Sequence, residues 1–508
     1  MNENDGFLSL STPLPEDIAK LKWSGHLEQA GRVIDMRLQT DLPRAMRERL
    51  LMEREILKRL PGQYPYTWED ARRILAEEIR DFRDEELTQL WEGDAADWIY
   101  IDGQVHFRSS FLANILKTRP AYGSRVIKGE RLEGKRQNFL LLEETIGRMR
   151  ERGGLGCRFR IRSTMTIAPR AEREGEPVRV YLPLPIEYAQ VENVQVHGVY
   201  IGGREAGEAE YTIASAQAAQ RTVCIRTVHH IGQDYAVEFS FENHAPYVDL
   251  SHGQALEQAA AAVEQQTAAG HGQTDVAHGQ TATASGKTTA AHGQAVAWQH
   301  EPREVREASG EQLPHIRFTP YMKALTEEVT AGELNPLLRA RKIYDYITSH
   351  VMYSYVRSYF TLTDIPEYVS TGFKGDCGVQ ALLFITMCRA AGIPARWQAG
   401  LYTTPLEIGC HDWAQFYVAP FGWLYADCSF GGAAYRENYE SRWDFYFGNL
   451  EPFRLPAARQ FQADFEPPMS HLRSDPYDNQ MGEAEYGDRS LLDEEFSTDH
   501  RMVELLEL

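Results

Sequence analysis

The sequence predicts a multidomain α+β protein: a mainly helical N-terminal region (1–155), a β-sandwich-like domain (156–250), a low-complexity insertion (251–311), an α+β core (312–452) and an acidic, partly ordered tail (453–508). Three observations predict it. At 508 residues, 43% of them hydrophobic, the chain exceeds one typical domain and has apolar material for several cores. The apolar period switches from helical to alternating near Arg158. Finally, residues 374–397 read KGDCGVQALLFITMCRAAGIPARW, a helix apolar on every side behind a Gly-Asp turn.

The bulk numbers also exclude functions. A formal charge of −20 opposes general binding to nucleic acid or anionic membranes, both of which require basic patches. No run reaches the length of a membrane span. The first residues, MNENDGFLSLSTPLPED, carry acids where a secretory signal carries a basic segment. The expected setting is therefore cytoplasmic, and the six cysteines are expected to be free thiols.

In the N-terminal region, Thr67 and Asp70 stand in capping-box spacing ahead of Ala71, Ile74, Leu75 and Ile79. A second helix, DLPRAMRERLLMEREILKRLP, is expected to end at Pro61, and a third, NFLLLEETIGRMRERGG, at Gly153. Residues 98–107 read as a hairpin turning at Asp102–Gly103. None of this has catalytic spacing, so the region reads as packing or partner surface. Six alternating runs between Cys157 and Glu242 predict the sandwich. His229 and His230 would point to opposite faces of a strand and make a poor metal pair. The insertion holds four heptads, TAAGHGQ, TDVAHGQ, TATASGK and TTAAHGQ (267–294), each with a helix-weakening glycine and no paired apolar positions. His271, His278 and His292 within it would bind metal only adventitiously. The helix at 335–355 shows an apolar stripe through Leu337, Ala340, Ile343, Tyr344 and Ile347.

Cys377 falls in the first turn of the buried helix, where unpaired N–H groups and the helix dipole favour a thiolate. By position alone it is as compatible with core packing as with nucleophilic chemistry. A nucleophile also needs a base and a group that orients the base. Downstream, HDWAQFYV places His411, Trp413 and Gln415 on one face of a strand. WLYADC then places Trp423, Tyr425 and Asp427 on one face of the next. An antiparallel pairing puts His411 opposite Asp427, completing a Cys–His–Asp set. The same register puts Cys410 opposite Cys428, a close but reduced pair. A metal site fits poorly: on one helix Cys377 and Cys388 lie roughly 16 Å apart, and Cys410 and His411 point opposite ways. No metal and no cofactor are expected.

These residues resemble the transglutaminase-like superfamily. The match consists of KGDCGVQALLFITMCRAAGIPARW, then CHDWAQFYV, then GWLYADCSF, over roughly 315–450. The resemblance implies a papain-like α+β core whose nucleophile helix packs on an antiparallel sheet. It implies Cys377 as nucleophile, His411 as general base and acid, and Asp427 as the orienting group. It implies acyl transfer at amides through a thioester: peptide or amide hydrolysis first, with glutamine cross-linking or deamidation as further members of the class. A protein or peptide substrate follows. An oxyanion requires donors; the Cys377 N–H is one, and Tyr353, Tyr355 and Tyr359 are candidates for a second. Trp413 and Trp423 are expected to wall the site. The alternative is a non-catalytic scaffold that keeps the fold as an interaction module.

Overall fold

The computed structural model describes residues 7–127, 130–250, 253, 255–262 and 302–508. The four heptads and their histidines lie outside the described residues. The protein is a mixed α/β structure of helices and several antiparallel sheets.

The N-terminal helices follow local rules. Trp68–Glu78 starts on the expected capping box, with Thr67 Oγ1 accepting from the Asp70 N–H (3.3 Å) and the Asp70 carboxylate accepting from the Thr67 N–H (3.2 Å). The hairpin Trp98–Ile101 and Gln104–Phe107 turns through Asp102 (φ 49°) and Gly103 (φ 78°), the left-handed pair that a twisted two-residue hairpin needs. Arg44–Gln63 runs past Pro61, because the Tyr64 N–H still reaches the Leu60 carbonyl (3.1 Å) and completes the last turn.

The alternating runs form strands β1 (Gly154–Ile167), β2 (Pro177–Pro183), β3 (Val191–Ile201), β4 (Arg204–Glu205), β5 (Tyr211–Ile213), β6 (Thr222–Val228) and β7 (Asp234–Pro246). The α+β core supplies β8 (Ala395–Thr403), β9 (Ile408–Val418), β10 (Gly422–Ala426), β11 (Phe447–Gly448) and β12 (Arg454–Ala458), and β13 (Glu483–Tyr486) and β14 (Phe496–Glu507) follow. They assemble into sheets ordered β14-β1-β7-β3-β4, β13-β2-β6-β5 and β11-β10-β9-β8-β12.

Each of those three sheets takes a strand from residues 453–508. The expected partly ordered tail is therefore woven into the rest of the molecule, with Arg454, Leu455, Tyr477, Ala484 and Tyr486 buried. Its polar residues misled the composition argument because they are buried in ion pairs and hydrogen bonds: Arg179 with Glu485, and Arg473 with Gln220. The insertion is also shorter than expected. Residues 255–262 are helical with Ala255 and Ala259 buried, and Asn335 Nδ2 donates to the Leu256 carbonyl (2.9 Å). At the other end, Arg389 Nη1 holds the Gly310 carbonyl (2.9 Å).

The core carries helices α1 (Pro336–His350), α2 (Cys377–Ala390) and α3 (Cys428–Arg436). The Asp376 side chain caps α2 by accepting the Val379 N–H (3.3 Å), and Gly392 (φ 79°) ends it. Every residue from Cys377 to Arg389 is buried, which explains the all-round apolar sequence. The even-numbered face of β9 receives α2, as the 5.7 Å contact between the Phe384 and Phe416 rings shows.

Candidate active site

Cys377 and His411 border one cavity of about 780 Å³, and Asp427 lies behind His411. Cys377 is 7% exposed, His411 2% and Asp427 0%. Register brings the last two together, though not the register expected from sequence. Ala414 pairs with Ala426 and Val418 with Gly422, so continuing the ladder puts Trp413, not His411, opposite Asp427. His411 and Asp427 still share a face and meet diagonally. The strand stops at Ala426 because Asp427 caps α3, its Oδ1 accepting the Phe430 N–H at 2.9 Å. Cys428 then belongs to the first helical turn, and Cys410 pairs with Leu401. The expected facing pair Cys410–Cys428 is therefore not formed; all six cysteines are free thiols.

Asp427 does two jobs. While Oδ1 caps the helix, Oδ2 accepts from His411 Nε2 at 2.7 Å and pairs with Arg454 at 2.9 Å. Arg454, 1% exposed at the side chain, also grips Glu451 through Nε (3.0 Å) and Nη2 (3.1 Å). Burial pushes the Asp427 carboxyl up, but His411, Arg454 and the Phe430 N–H together hold it below the ordinary carboxylate value. The imidazole is packed by Phe430 (centroids 4.4 Å), Trp413 (6.0 Å) and Tyr402 (6.2 Å). With Nε2 committed to Asp427, Nδ1 is the nitrogen available for chemistry.

The thiol has a different partner. Cys377 donates to Asp412 Oδ2 at 3.4 Å, and Gln480 Nε2 donates to Asp412 Oδ1 at 2.7 Å. Burial pushes the thiol well above its ordinary pKa, and the carboxylates of Asp412 and Asp376 push it further. This corrects the expectation that the helix N-terminus favours a thiolate: the dipole acts, but desolvation and two acids outweigh it. Asp412 is likewise raised, by burial and by Asp376. The approach of these groups leaves no room for a side chain at Gly378. A Cβ on Gly378 would press on Tyr359 Oη and sit 2.7 Å from Asp412 Oδ2 and 2.8 Å from the Trp397 ring.

Of the candidate tyrosines, Tyr359 is spent: its hydroxyl donates to Asp376 Oδ1 at 2.6 Å. Tyr353 is held beside the helix start by a parallel bridge to Gly375, and burial and then Cys377 push its pKa well up, so it stays a protonated donor. Tyr355 is fixed through its backbone, since its N–H donates to Asn114 Oδ1 (2.8 Å) and its carbonyl accepts from Asn114 Nδ2 (2.9 Å). Lys117 lies over the Tyr353 and Tyr355 rings (4.4 and 5.2 Å), so the N-terminal region builds part of the cavity wall. Neither Trp413 nor Trp423 borders the cavity. Trp413 is buried beside His411 with its indole N–H on Gln398 Oε1 (2.5 Å), and Trp423 stacks under Arg396. His229 is buried on Tyr235 Oη (2.7 Å) and His230 is exposed on Glu174, as alternation expects.

Sequence reasoning missed Asp412, Arg454 and Gln480. Alternation put Asp412 on the face away from His411, and that face is the one α2 covers. Arg454 and Gln480 lie in a stretch with no periodic signal.

A thiol on the first turn of a buried helix, with a strand histidine and an acidic cap around one cavity, defines the fold of cysteine-dependent hydrolases and acyltransferases. Residues 323–428 match the transglutaminase-like superfamily core, and the chain carries that domain. An uncharacterized protein of Haemophilus influenzae is 27% identical over 137 residues, 22% of this chain and 37% of the relative, so the match spans little more than a third of it. Among solved structures, a candidate cysteine protease from Cytophaga hutchinsonii is 10% identical at TM-score 0.37, covering 70% of this chain and 90% of that one. The periplasmic domain of TgpA from Pseudomonas aeruginosa is 12% identical at TM-score 0.24, covering 59% and 95%. Among the described residues no helix is long and apolar enough to cross a membrane.

Proposed function

We propose that the protein performs cysteine-dependent acyl transfer at amide bonds, with Cys377 as nucleophile, His411 as base and acid, and Asp427 as the orienting group. The observation that carries this is the buried 2.7 Å bond from His411 Nε2 to Asp427, which leaves Nδ1 for the cavity that also holds Cys377. In the first half-reaction the sulfur leaves Asp412 and gives its proton to Nδ1 as it attacks the carbonyl carbon. The tetrahedral oxyanion collapses, the C–N bond breaks, and His411 returns the proton to the departing amine, leaving a thioester. Water, deprotonated by His411, then attacks; the C–S bond breaks and the thiol is restored with release of the acid. The Cys377 N–H and the Tyr353 hydroxyl, which lines the same cavity, serve as donors to the developing charge. Peptide or amide hydrolysis is preferred because water is the default acceptor; an amine acceptor would make the same thioester a cross-linking intermediate. The free thiols support a reducing, cytoplasmic setting.

The scaffold reading draws on one observation, that the thiol is bonded to Asp412 and not to His411. A burst assay with 4-nitrophenyl hexanoate separates the two. The enzyme reading expects one equivalent of nitrophenolate, lost in Cys377→Ala and slowed at least about a hundredfold in His411→Ala. A burst that persists in Cys377→Ala, or none in the wild type, overturns it.

A further inference from the structure

The N-terminal region, read from its sequence as packing or partner surface, reaches into the site through one helix. Ala71, Leu75, Leu87, Phe107, Phe111 and Ile115 form a hydrophobic cluster of their own, apart from the main core. The helix Phe111–Thr118 belongs to that cluster and also packs against the strand Met352–Tyr353. On it, Asn114 and Lys117 stand three residues apart, which makes them neighbours on one side of the helix. Both lie far outside the stretch 323–428 that matches the family core.

The stretch 352–356 runs beside the chain that leads into α2. The N–H groups of Met352, Ser354 and Val356 point to that chain and donate to the Phe373 carbonyl (2.9 Å), the Gly375 carbonyl (3.1 Å) and Asp376 Oδ2 (3.3 Å). The backbone groups of Tyr355 point to the opposite edge, and there Asn114 stands where a neighbouring strand would. Its side chain returns one acceptor and one donor: Oδ1 takes the Tyr355 N–H (2.8 Å) and Nδ2 serves the Tyr355 carbonyl (2.9 Å). Asn114 is 3% exposed, so water competes little for these bonds. Tyr353 and Tyr355 share a face and meet edge to face (5.6 Å, 85°), with Lys117 Nζ 4.4 and 5.2 Å from the two ring centroids. Asn114 thus fixes the backbone that carries the two rings, and Lys117 sits against the rings themselves. Tyr353 and Cys377 border the same cavity, and the thiol is near enough to act on the tyrosine hydroxyl.

We propose that Asn114 and Lys117 are positioning residues for the reaction at Cys377: they hold the Tyr353 hydroxyl toward the oxyanion, so that the site is complete only with the N-terminal region in place. The inference rests on Cys377 being the nucleophile and Tyr353 a donor to the oxyanion. It is tested on the full chain with two reactions of the same thiol. Acylation by 4-nitrophenyl hexanoate puts negative charge on the carbonyl oxygen; alkylation by iodoacetamide displaces iodide from carbon and makes no oxyanion. Acylation falls at least about a hundredfold in Tyr353→Phe, the scale of a lost oxyanion donor. It falls about tenfold in Asn114→Ala, which loses two hydrogen bonds, and about fivefold in Lys117→Met, the scale of an exposed cation–π contact. Lys117→Arg restores the rate, because a guanidinium also stacks on the rings. Alkylation keeps its rate and pH profile in Asn114→Ala and Lys117→Met, and neither change slows acylation further when Tyr353 is already replaced by Phe. Acylation at the wild-type rate in either variant overturns the proposal. Equal losses in acylation and alkylation overturn it too, because they assign the residues to folding. So does an alkylation profile moved to higher pH in Lys117→Met, which assigns the charge to the thiol, and so do losses that add to that of Tyr353→Phe. A wild type without a hexanoate burst refutes the nucleophile instead, and full acylation in Tyr353→Phe refutes the donor, so the failures are distinguishable.

Discussion

Replacing Arg454 by methionine tests whether the acidic member of the site is held by charge. The guanidinium is fully buried and bonds Asp427 (2.9 Å) and Glu451 (2.9–3.1 Å). Methionine keeps much of the volume and deletes the charge, leaving two carboxylates in a dry site with one imidazole, bonded to Asp427. Breaking a buried pair from one side costs about 3–5 kcal/mol, and this residue serves two partners, so the upper part of that range applies. The loss depends on pH. In the wild type, Asp427 is depressed below its unfolded value, so its contribution is present above the unfolded pKa and disappears as pH falls through the folded one. Without Arg454 its folded pKa rises. The gap in stability between wild type and variant is then small near pH 3 and widens toward pH 7. Urea titrations at four pH values between these limits measure it. A loss under about 1 kcal/mol at pH 7, the range of a surface pair, or a gap that is flat with pH, refutes the reasoning.

Three further outcomes are expected. Asp412→Asn removes the charge nearest the thiol, so the pH profile of Cys377 alkylation by iodoacetamide shifts to lower pH; an unchanged or upward-shifted profile contradicts the assignment of Asp412 as a brake. Gly378→Ala forces a methyl against Tyr359, Asp412 and Trp397 and lowers stability by about 1–3 kcal/mol, read as a fall in melting temperature. His315, fully buried with Nε2 on Tyr477 Oη (2.6 Å), is held down to about 3 by burial and Arg317. The unfolded chain takes up its proton near pH 6.5 and the folded one does not, so stability is lost as pH falls from about 6.5 to about 3, and His315→Gln lacks that component.

Much of the site was legible because its members sit on regular elements with strong local patterns. The apolar run, Asp376 and Gly392 fixed α2, and the alternation in HDWAQFYV put His411 and Trp413 on one face. The facing register was misjudged by two residues because alternation alone does not say where a strand stops; Asp427 stops it by capping α3. Residues 453–508 differ from the expectation for a related reason. A segment whose polar groups are satisfied by distant partners, Arg473 by Gln220 and Glu485 by Arg179, has the composition of a solvated tail.

The sequence by itself determined the elements with strong local patterns and offered the thiol, imidazole and carboxylate of the candidate site, because helix caps, alternation and short-range motifs are set by neighbours in the chain. Only the tertiary structure decided what surrounds them. Asp412 holds the thiol, Gln480 holds Asp412, Arg454 holds Asp427, and the final strands close three sheets. Those contacts join residues up to hundreds of positions apart, and burial, which sets their electrostatics, exists only once the chain has folded.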